Sequence, residues 1–156
     1  MEIADILPGP DAVLACVKAS GKKALIGELA SRAATLFKLE ERRLFDRLLE
    51  RERLGSTGIG GGIAIPHGRM PTLANPVGLF ARLAQPIDFE SIDERPVDLV
   101  FLLVAPESAG ADHLKALARV SRLLRDRSLV EKLRATDKAD ALYALLVEAV
   151  QAQSAA

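Results

Sequence analysis

The chain of 156 residues is 49% hydrophobic and 27% charged, a composition typical of one globular domain and not of a disordered segment. Its 21 lysines and arginines are balanced by 21 aspartates and glutamates, so a general nucleic-acid-binding surface is not expected. The single cysteine, Cys16, cannot form an internal disulfide, and no Cys/His cluster has zinc spacing. The longest apolar run, 99–105, is too short for a membrane span, which needs about 20 residues. The composition therefore predicts one soluble cytoplasmic domain over residues 1–156, with an ordered core at about 3–150 and no resident metal or cofactor.

The first half of the sequence predicts a strand, two helices and a glycine-rich loop. A short apolar run at 13–17 is typical of a strand, and apolar residues three or four apart predict a helix that begins at Ser20-Gly21. A second helix is expected at about 40–54. Glycines at 55, 58, 60, 61 and 62 end that helix and begin a loop, which leads into a short strand at 63–65 and a Pro66-His67-Gly68 corner.

The second half predicts two strands followed by three helices. The strands are expected at 77–83 and 97–105, with a turn at 86–89, and the second is apolar on both faces, as in the middle of a sheet. The first helix is expected at 111–126 and the third at 137–150. The second is a short helix that begins at Ser128, where the residues have capping-box spacing. The apolar stripe of the first is predicted to consist of Leu114, Leu117, Ser121 and Leu124. Helices before and after a small sheet indicate layered α/β architecture.

The glycine-rich loop matches neither common phosphate-binding motif. Ile63 stands where the dinucleotide pattern would need a glycine after Gly58 and Gly60, and no Gly-Lys-Ser/Thr follows as in a P-loop. Such a loop is either a flexible turn with several positive-φ residues or a nest of free backbone N–H groups for an anion. The concentration of glycines and hydroxyls favours an anion-related role.

His67 is the strongest candidate for chemistry. A lone histidine is more often a surface or core residue, but Pro66 and Gly68 fix this ring at a strand end. A neutral imidazole nitrogen can attack phosphorus and form a covalent intermediate. The phosphoryl group would then need hydrogen-bond donors and positive charge around it.

His113 and Arg51 are the candidates for that supporting role. Both histidines follow loops at the ends of apolar strands, so adjacent strand ends can bring them together; the alternative is an ordinary first-turn residue at His113. Arg51 and Arg53 stand at the end of the second helix, and a planar guanidinium suits a phosphate, although Arg53 is expected to be solvated. The sequence shows neither paired carboxylates nor a Ser/His/Asp order, so it does not favour a hydrolase.

The segment around His67 resembles the active-site segment of the enzyme IIA proteins of the bacterial phosphotransferase system, fructose/mannitol type. The resemblance rests on RERLGSTGIG at 51–60 and GIAIPHG at 62–68. It continues through QPIDF at 85–89, PVDLVF at 96–101, LVAP at 103–106 and His113-Leu114, and is greatest to the nitrogen-regulatory, PtsN-like branch. This family implies a single α/β domain with a mixed, roughly five-stranded sheet flanked by helices on both faces.

The resemblance also implies roles for the candidate residues. His67 corresponds to the histidine phosphorylated through Nε2, His113 to a histidine that supports the phosphoryl group, and Arg51 to an arginine that neutralises the phosphate. Ser56, Thr57 and Gly58 correspond to the loop that walls the site. Arg69 replaces a lysine of many members, and only a surface role in docking is expected for it.

The implied function is that of a cytoplasmic phosphoryl carrier of the phosphoenolpyruvate-dependent system, a phosphotransferase component with a phosphohistidine intermediate. It would accept the group from an HPr/NPr-type protein and act on regulatory targets such as a potassium transporter or sensor kinase. The alternative is a sugar-uptake component that passes phosphate to a fructose- or mannitol-type EIIB. A binding module with structural histidines is a third reading.

Overall fold

Helices and strands follow one another along the whole described chain in the computed structural model, which covers the backbone of residues 2–155 and the side chains of residues 2–148. The helices are α1 (Ile3–Ile6), α2 (Lys22–Phe37), α3 (Glu41–Arg53), α4 (Ala111–Leu123), α5 (Arg127–Arg134) and α6 (Ala139–Ala155), and one 3-10 turn covers Pro10–Ala12. The strands are β1 (Val13–Val17), β2 (Gly58–Gly60), β3 (Ile63–Ala64), β4 (His67–Met70), β5 (Val77–Ile87) and β6 (Val97–Pro106).

Strand β6 is the centre of the sheet. It pairs with β5 in antiparallel orientation on one side, and with β3 and then β4 in parallel orientation on the other. The parallel neighbour β1 extends the sheet beyond β5, and β2 forms the opposite edge, antiparallel to β3. Every residue of β6 from Leu99 to Pro106 is buried, so helices must cover both of its faces.

The expected fold class, a single α/β domain with a mixed sheet between helices, is confirmed. The sheet has six strands where roughly five were expected, because residues 58–70 form three short strands. Residues 58–60 were predicted as loop but pair with β3, and the predicted Pro66-His67-Gly68 corner is only a break at Ile65–Pro66 before the chain resumes as β4. Glycine and proline content concealed both strands, since pairing with a buried neighbour overrides local preference.

Two further local predictions, on β5 and on the start of α5, are corrected. Strand β5 continues through Pro86 to Ile87, with a register shift after Arg82 that accommodates the proline expected to turn the chain. Helix α5 begins at Arg127 and its cap is Asp126, whose carboxylate accepts from Leu129 N–H at 3.2 Å, so Ser128 is not the cap.

The buried face of α4 also differs from the predicted stripe. His113, Ala116, Val120 and Leu123 face the interior, whereas Leu114 is 64% exposed. The observed buried face and the predicted stripe both have helical spacing. The packing of α4 on β6 and α6 determines that the observed face is the buried one. Of the predicted stripe only Leu124 is buried, and Leu114, Leu117 and Ser121 are left at or near the surface.

Gly78 is required by the packing of β5 on β6. A Cβ at this position would lie 2.7 Å from the Phe101 ring, 2.8 Å from the Leu102 carbonyl oxygen and 2.9 Å from Ile6. We therefore expect Gly78→Ala to lower the free energy of unfolding by about 1–3 kcal/mol through overpacking. Chemical denaturation measures this loss.

Gly9→Ala is the matched control. Gly9 has extended backbone with φ of 175°, and a Cβ there would meet nothing within 4 Å. Its stability should remain within about 0.5 kcal/mol of the parent chain. Equal losses in both variants would contradict the claim that a close approach at Gly78 matters.

Candidate active site

His67 is the first residue of β4, directly after the break that separates β3 from β4 along the same side of β6. The main chain is fixed on both sides of the break, because Leu103 N–H donates to the Pro66 carbonyl at 3.0 Å and Ile65 N–H donates to the Thr57 carbonyl at 3.0 Å. His67 is opposite Leu103 in the ladder with β6. The imidazole therefore projects from a hydrogen-bonded strand rather than from a loop.

Two hydrogen bonds define the protonation of the His67 ring. Nδ1 lies 2.8 Å from the Ile65 carbonyl oxygen, which can only accept, so Nδ1 carries the proton. Nε2 lies 3.2 Å from Arg51 Nε–H, which can only donate, so Nε2 holds the lone pair. The geometry thus leaves Nε2 as the nucleophilic nitrogen.

The surroundings also favour the neutral ring. Burial lowers the pKa of His67 below its ordinary value, and the positive charge of Arg51 lowers it further. The hydrogen bond to the Ile65 carbonyl and the Glu52 carboxylate oppose this shift without reversing it. A neutral imidazole with a free Nε2 lone pair is the reactive state for attack on phosphorus.

His113 lies beside His67, the arrangement that the two strand ends allowed and that the family resemblance implied. The ring centroids are 5.5 Å apart and the ring planes are inclined by 50°. His113 is buried in the first turn of α4, and its Nδ1 has no hydrogen-bond partner among the described residues. An unpaired buried nitrogen costs free energy, so a polar partner at this nitrogen would stabilise the site.

The pKa of His113 is also lowered. Burial is the largest cause, followed by the positive charges that His67, when protonated, and Arg69 contribute nearby. Arg69 was expected to have only a surface role in docking. It is exposed on β4, yet its charge acts on His113.

Arg51 is held at the site by the end of α3. Its Nη1 donates to the Gly55 carbonyl at 2.8 Å, while Nε donates to His67. Arg53 is exposed, in agreement with the expectation that one of the two arginines is solvated. A guanidinium has five N–H donors, so Arg51 retains donors for a further anion.

The loop residues Ser56, Thr57 and Gly58 line the cavity at His67, but their polar groups already have partners. Ser56 Oγ donates to the Phe89 carbonyl at 2.7 Å and accepts from Gly58 N–H at 3.1 Å. Thr57 donates through both its N–H and its hydroxyl to Glu52. The Thr57 and Gly58 N–H groups are therefore not free to form the anion nest that the glycine content suggested.

Glu52 is a functional candidate that the sequence interpretation missed. It is 7% exposed, and its Oε2 lies 2.8 Å from Nζ of Lys22, which sits over the Phe89 ring. This network ties α2, the end of α3 and the loop together and places a negative charge near His67. Its place between two arginines in RERLG carries no signal of burial, and only the tertiary fold brings Lys22 to it.

A cavity of about 390 Å³ opens beside the reactive nitrogen. Its wall is formed by His67, the Arg51 guanidinium, the loop and apolar side chains of the facing segments: Ile59, Ile65, Ile92 and Leu117. Ser121 and Arg125 of the α4 region complete it.

Within the described residues, no group of three or more His, Cys, Asp or Glu side chains could hold a metal ion. No described helix is long and apolar enough to cross a membrane.

The pKa of His67 offers a direct test of this geometry. Arg51→Gln removes a positive charge and should raise the His67 pKa, whereas Glu52→Gln removes a negative charge and should lower it. Titration of the His67 ring by NMR measures both shifts. Glu50→Gln, at an exposed position on the same helix, is the control and should leave the His67 pKa unchanged. Shifts of the same sign in the Arg51 and Glu52 variants would contradict the assigned contacts.

Comparison with known proteins agrees with this site. Residues 9–149 match the family model described as "Phosphoenolpyruvate-dependent sugar phosphotransferase system, EIIA 2". The chain is 56% identical to a nitrogen regulatory protein of Bradyrhizobium diazoefficiens over 94% of this chain and 95% of that protein. It is 39% identical to a fructose-specific EIIA component of Haloferax volcanii over 68% of this chain and 69% of that protein.

The fold is similar to a solved nitrogen-regulatory structure. The crystal structure of nitrogen regulatory protein IIA-Ntr from Neisseria meningitidis superimposes with a TM-score of 0.86 and 34% sequence identity, over 92% of this chain and 98% of that one. The range matched by the family model, residues 9–149, includes all six strands of the sheet together with α3 and α4. The chain therefore belongs to the EIIA type 2 family of the phosphotransferase system, in its nitrogen-regulatory branch.

Proposed function

We propose that the chain is a phosphoryl carrier that accepts a phosphoryl group on Nε2 of His67 from a phosphorylated HPr/NPr-type protein. The observation that carries the proposal is the pair of hydrogen bonds that leave Nε2 unprotonated while Nδ1–H is held by the Ile65 carbonyl. A ring fixed in this tautomer needs no proton transfer before it attacks. The family phosphotransferase role supports the same chemistry.

The transfer is an in-line exchange between two imidazole nitrogens. The Nε2 lone pair of His67 forms a bond to phosphorus as the bond from phosphorus to the donor nitrogen breaks, and the donor ring takes back that electron pair. His67 keeps its Nδ1 proton throughout, so the phosphorylated ring remains hydrogen-bonded to Ile65. The step does not require a metal ion, because nearby side chains can balance the negative charge on the equatorial oxygens of the phosphoryl group.

Arg51 and His113 are the groups proposed to hold the transferred phosphoryl group. Arg51 donates to Nε2 at rest and would move its donor to a phosphoryl oxygen, while its Gly55 contact keeps the guanidinium in place. The unpaired Nδ1 of His113 would gain a partner in the same oxygens. The negative charge would also raise the pKa of His113, turning it into a stronger donor.

A protein donor is supported by the surface around the cavity. Four large hydrophobic side chains are exposed among the described residues. Ile59 and Ile92 line the His67 cavity, while Leu54 follows the last residue of α3 and Leu114 follows His113 in the chain. Ile92 and Leu54 are 91% and 86% exposed, which is unusual for side chains of this size. Apolar residues around a reactive group are suited to docking another protein.

The role after phosphorylation is proposed to be regulatory. High identity to nitrogen regulatory proteins supports regulation through partners such as a potassium transporter or a sensor kinase, because a new dianion changes the docking surface. The second candidate is phosphate transfer to a fructose- or mannitol-type EIIB, which the fructose-specific relative supports. Either role would operate in the cytoplasm, and the free, exposed thiol of Cys16 is compatible with that reducing compartment.

Phosphate transfer with purified components tests the proposal. The protein is mixed with phosphoenolpyruvate, enzyme I and either HPr or NPr, and the acid-labile, base-stable phosphoryl group is followed by mass. We expect one phosphoryl group on the parent chain and none on His67→Ala. His113→Ala and Arg51→Gln should still be labelled, at rates reduced by about 100-fold, because each loses one group that stabilises the transition state.

The donors and acceptors distinguish the two candidate roles. Faster labelling by NPr than by HPr, without discharge to an EIIB domain, is the result expected for a regulator. Rapid discharge to a fructose-type EIIB would instead support sugar uptake. Absence of label with both donors, on protein that remains folded, would overturn the carrier proposal and leave a binding module with structural histidines.

A further inference from the structure

A second cavity lies beside the edge strand β2, and its rim is rich in arginine. Its volume is about 370 Å³, at the lower end of the range for small-molecule sites. The charged side chains around it are Arg95, Arg125, Arg127, Arg134 and Glu131. We propose that this space, called here the arginine cavity, binds a small organic phosphate of about nucleotide size. It shares Ile59 and Arg125 with the His67 cavity, but Arg95, Arg127 and Arg134 line only this one, so the proposed ligand would lie at a different place from Nε2 of His67.

The charge balance of the arginine cavity favours an anion. Arg134 is already paired, since its Nε and Nη2 donate to the Asp98 carboxylate at 2.8 and 2.9 Å, and Nη2 also donates to the Gly61 carbonyl. Arg95, Arg125 and Arg127 make no ion pair with any side chain in residues 2–148. The lining thus carries three guanidiniums without an ion pair and one carboxylate, that of Glu131, while the Asp93 carboxylate outside the lining offsets part of the charge of Arg95. The concave space concentrates the remaining positive field.

The remaining wall of the arginine cavity indicates an organic rather than an inorganic ligand. Ile63, Leu124 and Val130 are buried apolar side chains at its lining, and Ile59 adds a partly exposed edge. A base or sugar can pack on such a surface while guanidiniums bind phosphate oxygens, often with two parallel hydrogen bonds. The concave, partly open shape and modest volume fit a small molecule better than a protein segment.

The arginine cavity has its own structural support. The paired Arg134 anchors Gly61, and Asp93 accepts from Gly61 N–H at 2.9 Å, so the turn that forms one wall is held from both sides. Gly60, Gly61 and Gly62 have φ of 93°, 66° and 82°, a conformation that glycine adopts without strain. The glycine cluster singled out in the sequence therefore shapes this wall, whereas its amides do not form a nest at His67.

Binding of ADP tests the proposal, with adenosine as the uncharged comparator. Calorimetric titration of the full chain, without divalent cations, should give a dissociation constant below about 1 mM for ADP and no detectable binding of adenosine. Arg95→Gln and Arg127→Gln should each weaken ADP binding by about tenfold through loss of a charge-assisted hydrogen bond. Both residues are exposed and lie outside the His67 cavity, so the variants should fold normally and still accept phosphate.

Arg43→Gln is the matched control, because Arg43 is an exposed arginine of α3 that does not line the cavity. Its ADP affinity should equal that of the parent chain. Three results would each overturn the proposal: no ADP binding, equal binding of adenosine, or an equal loss in the Arg43 variant, which would indicate nonspecific charge attraction. Unchanged affinity in both cavity variants would overturn it as well.

Discussion

The hydrogen bond between His67 Nδ1 and the Ile65 carbonyl is the constraint on which the site depends. It joins residues only two positions apart, which is possible because the strand is interrupted at Ile65–Pro66 and resumes at His67. That interruption directs the Ile65 carbonyl toward the His67 side chain, two residues later in the chain. The bond fixes the tautomer, and the tautomer decides which nitrogen can attack. Arg51 at 3.2 Å from Nε2 is consistent with the same assignment.

The surrounding fold keeps this small arrangement rigid. β3 and β4 share the buried neighbour β6, so the break between them is held by ladders on both sides. Glu52 and Lys22 form a nearly buried pair that fixes the loop through Thr57, and α4 brings His113 against His67. A buried pair of this kind is weak evidence for stability, but its loss would leave an unpaired charge beside the reactive ring.

Much of the site was predictable because its signals are local in sequence. The Pro-His-Gly arrangement, the arginines before the loop and the positions of both histidines after apolar strands indicated which residues would meet. The short strands β2 and β4 were not predictable, since glycine-rich segments pair there only because β3 and β6 are already in place. The Glu52–Lys22 contact joins positions 30 residues apart and has no sequence signal. The sequence also did not determine which face of α4 is buried, because two stripes along this helix have the same spacing and tertiary packing selects one of them.

The protonation state of resting His67 tests the central claim most directly. Long-range proton–nitrogen correlation NMR on the unphosphorylated protein at neutral pH distinguishes the two neutral tautomers and the cation of an imidazole. We expect a protonated Nδ1 and an unprotonated Nε2 on His67, because Ile65 accepts from the first nitrogen and Arg51 donates to the second. A proton on Nε2, or a fully protonated ring, would contradict the assignment of Nε2 as the nitrogen poised for attack.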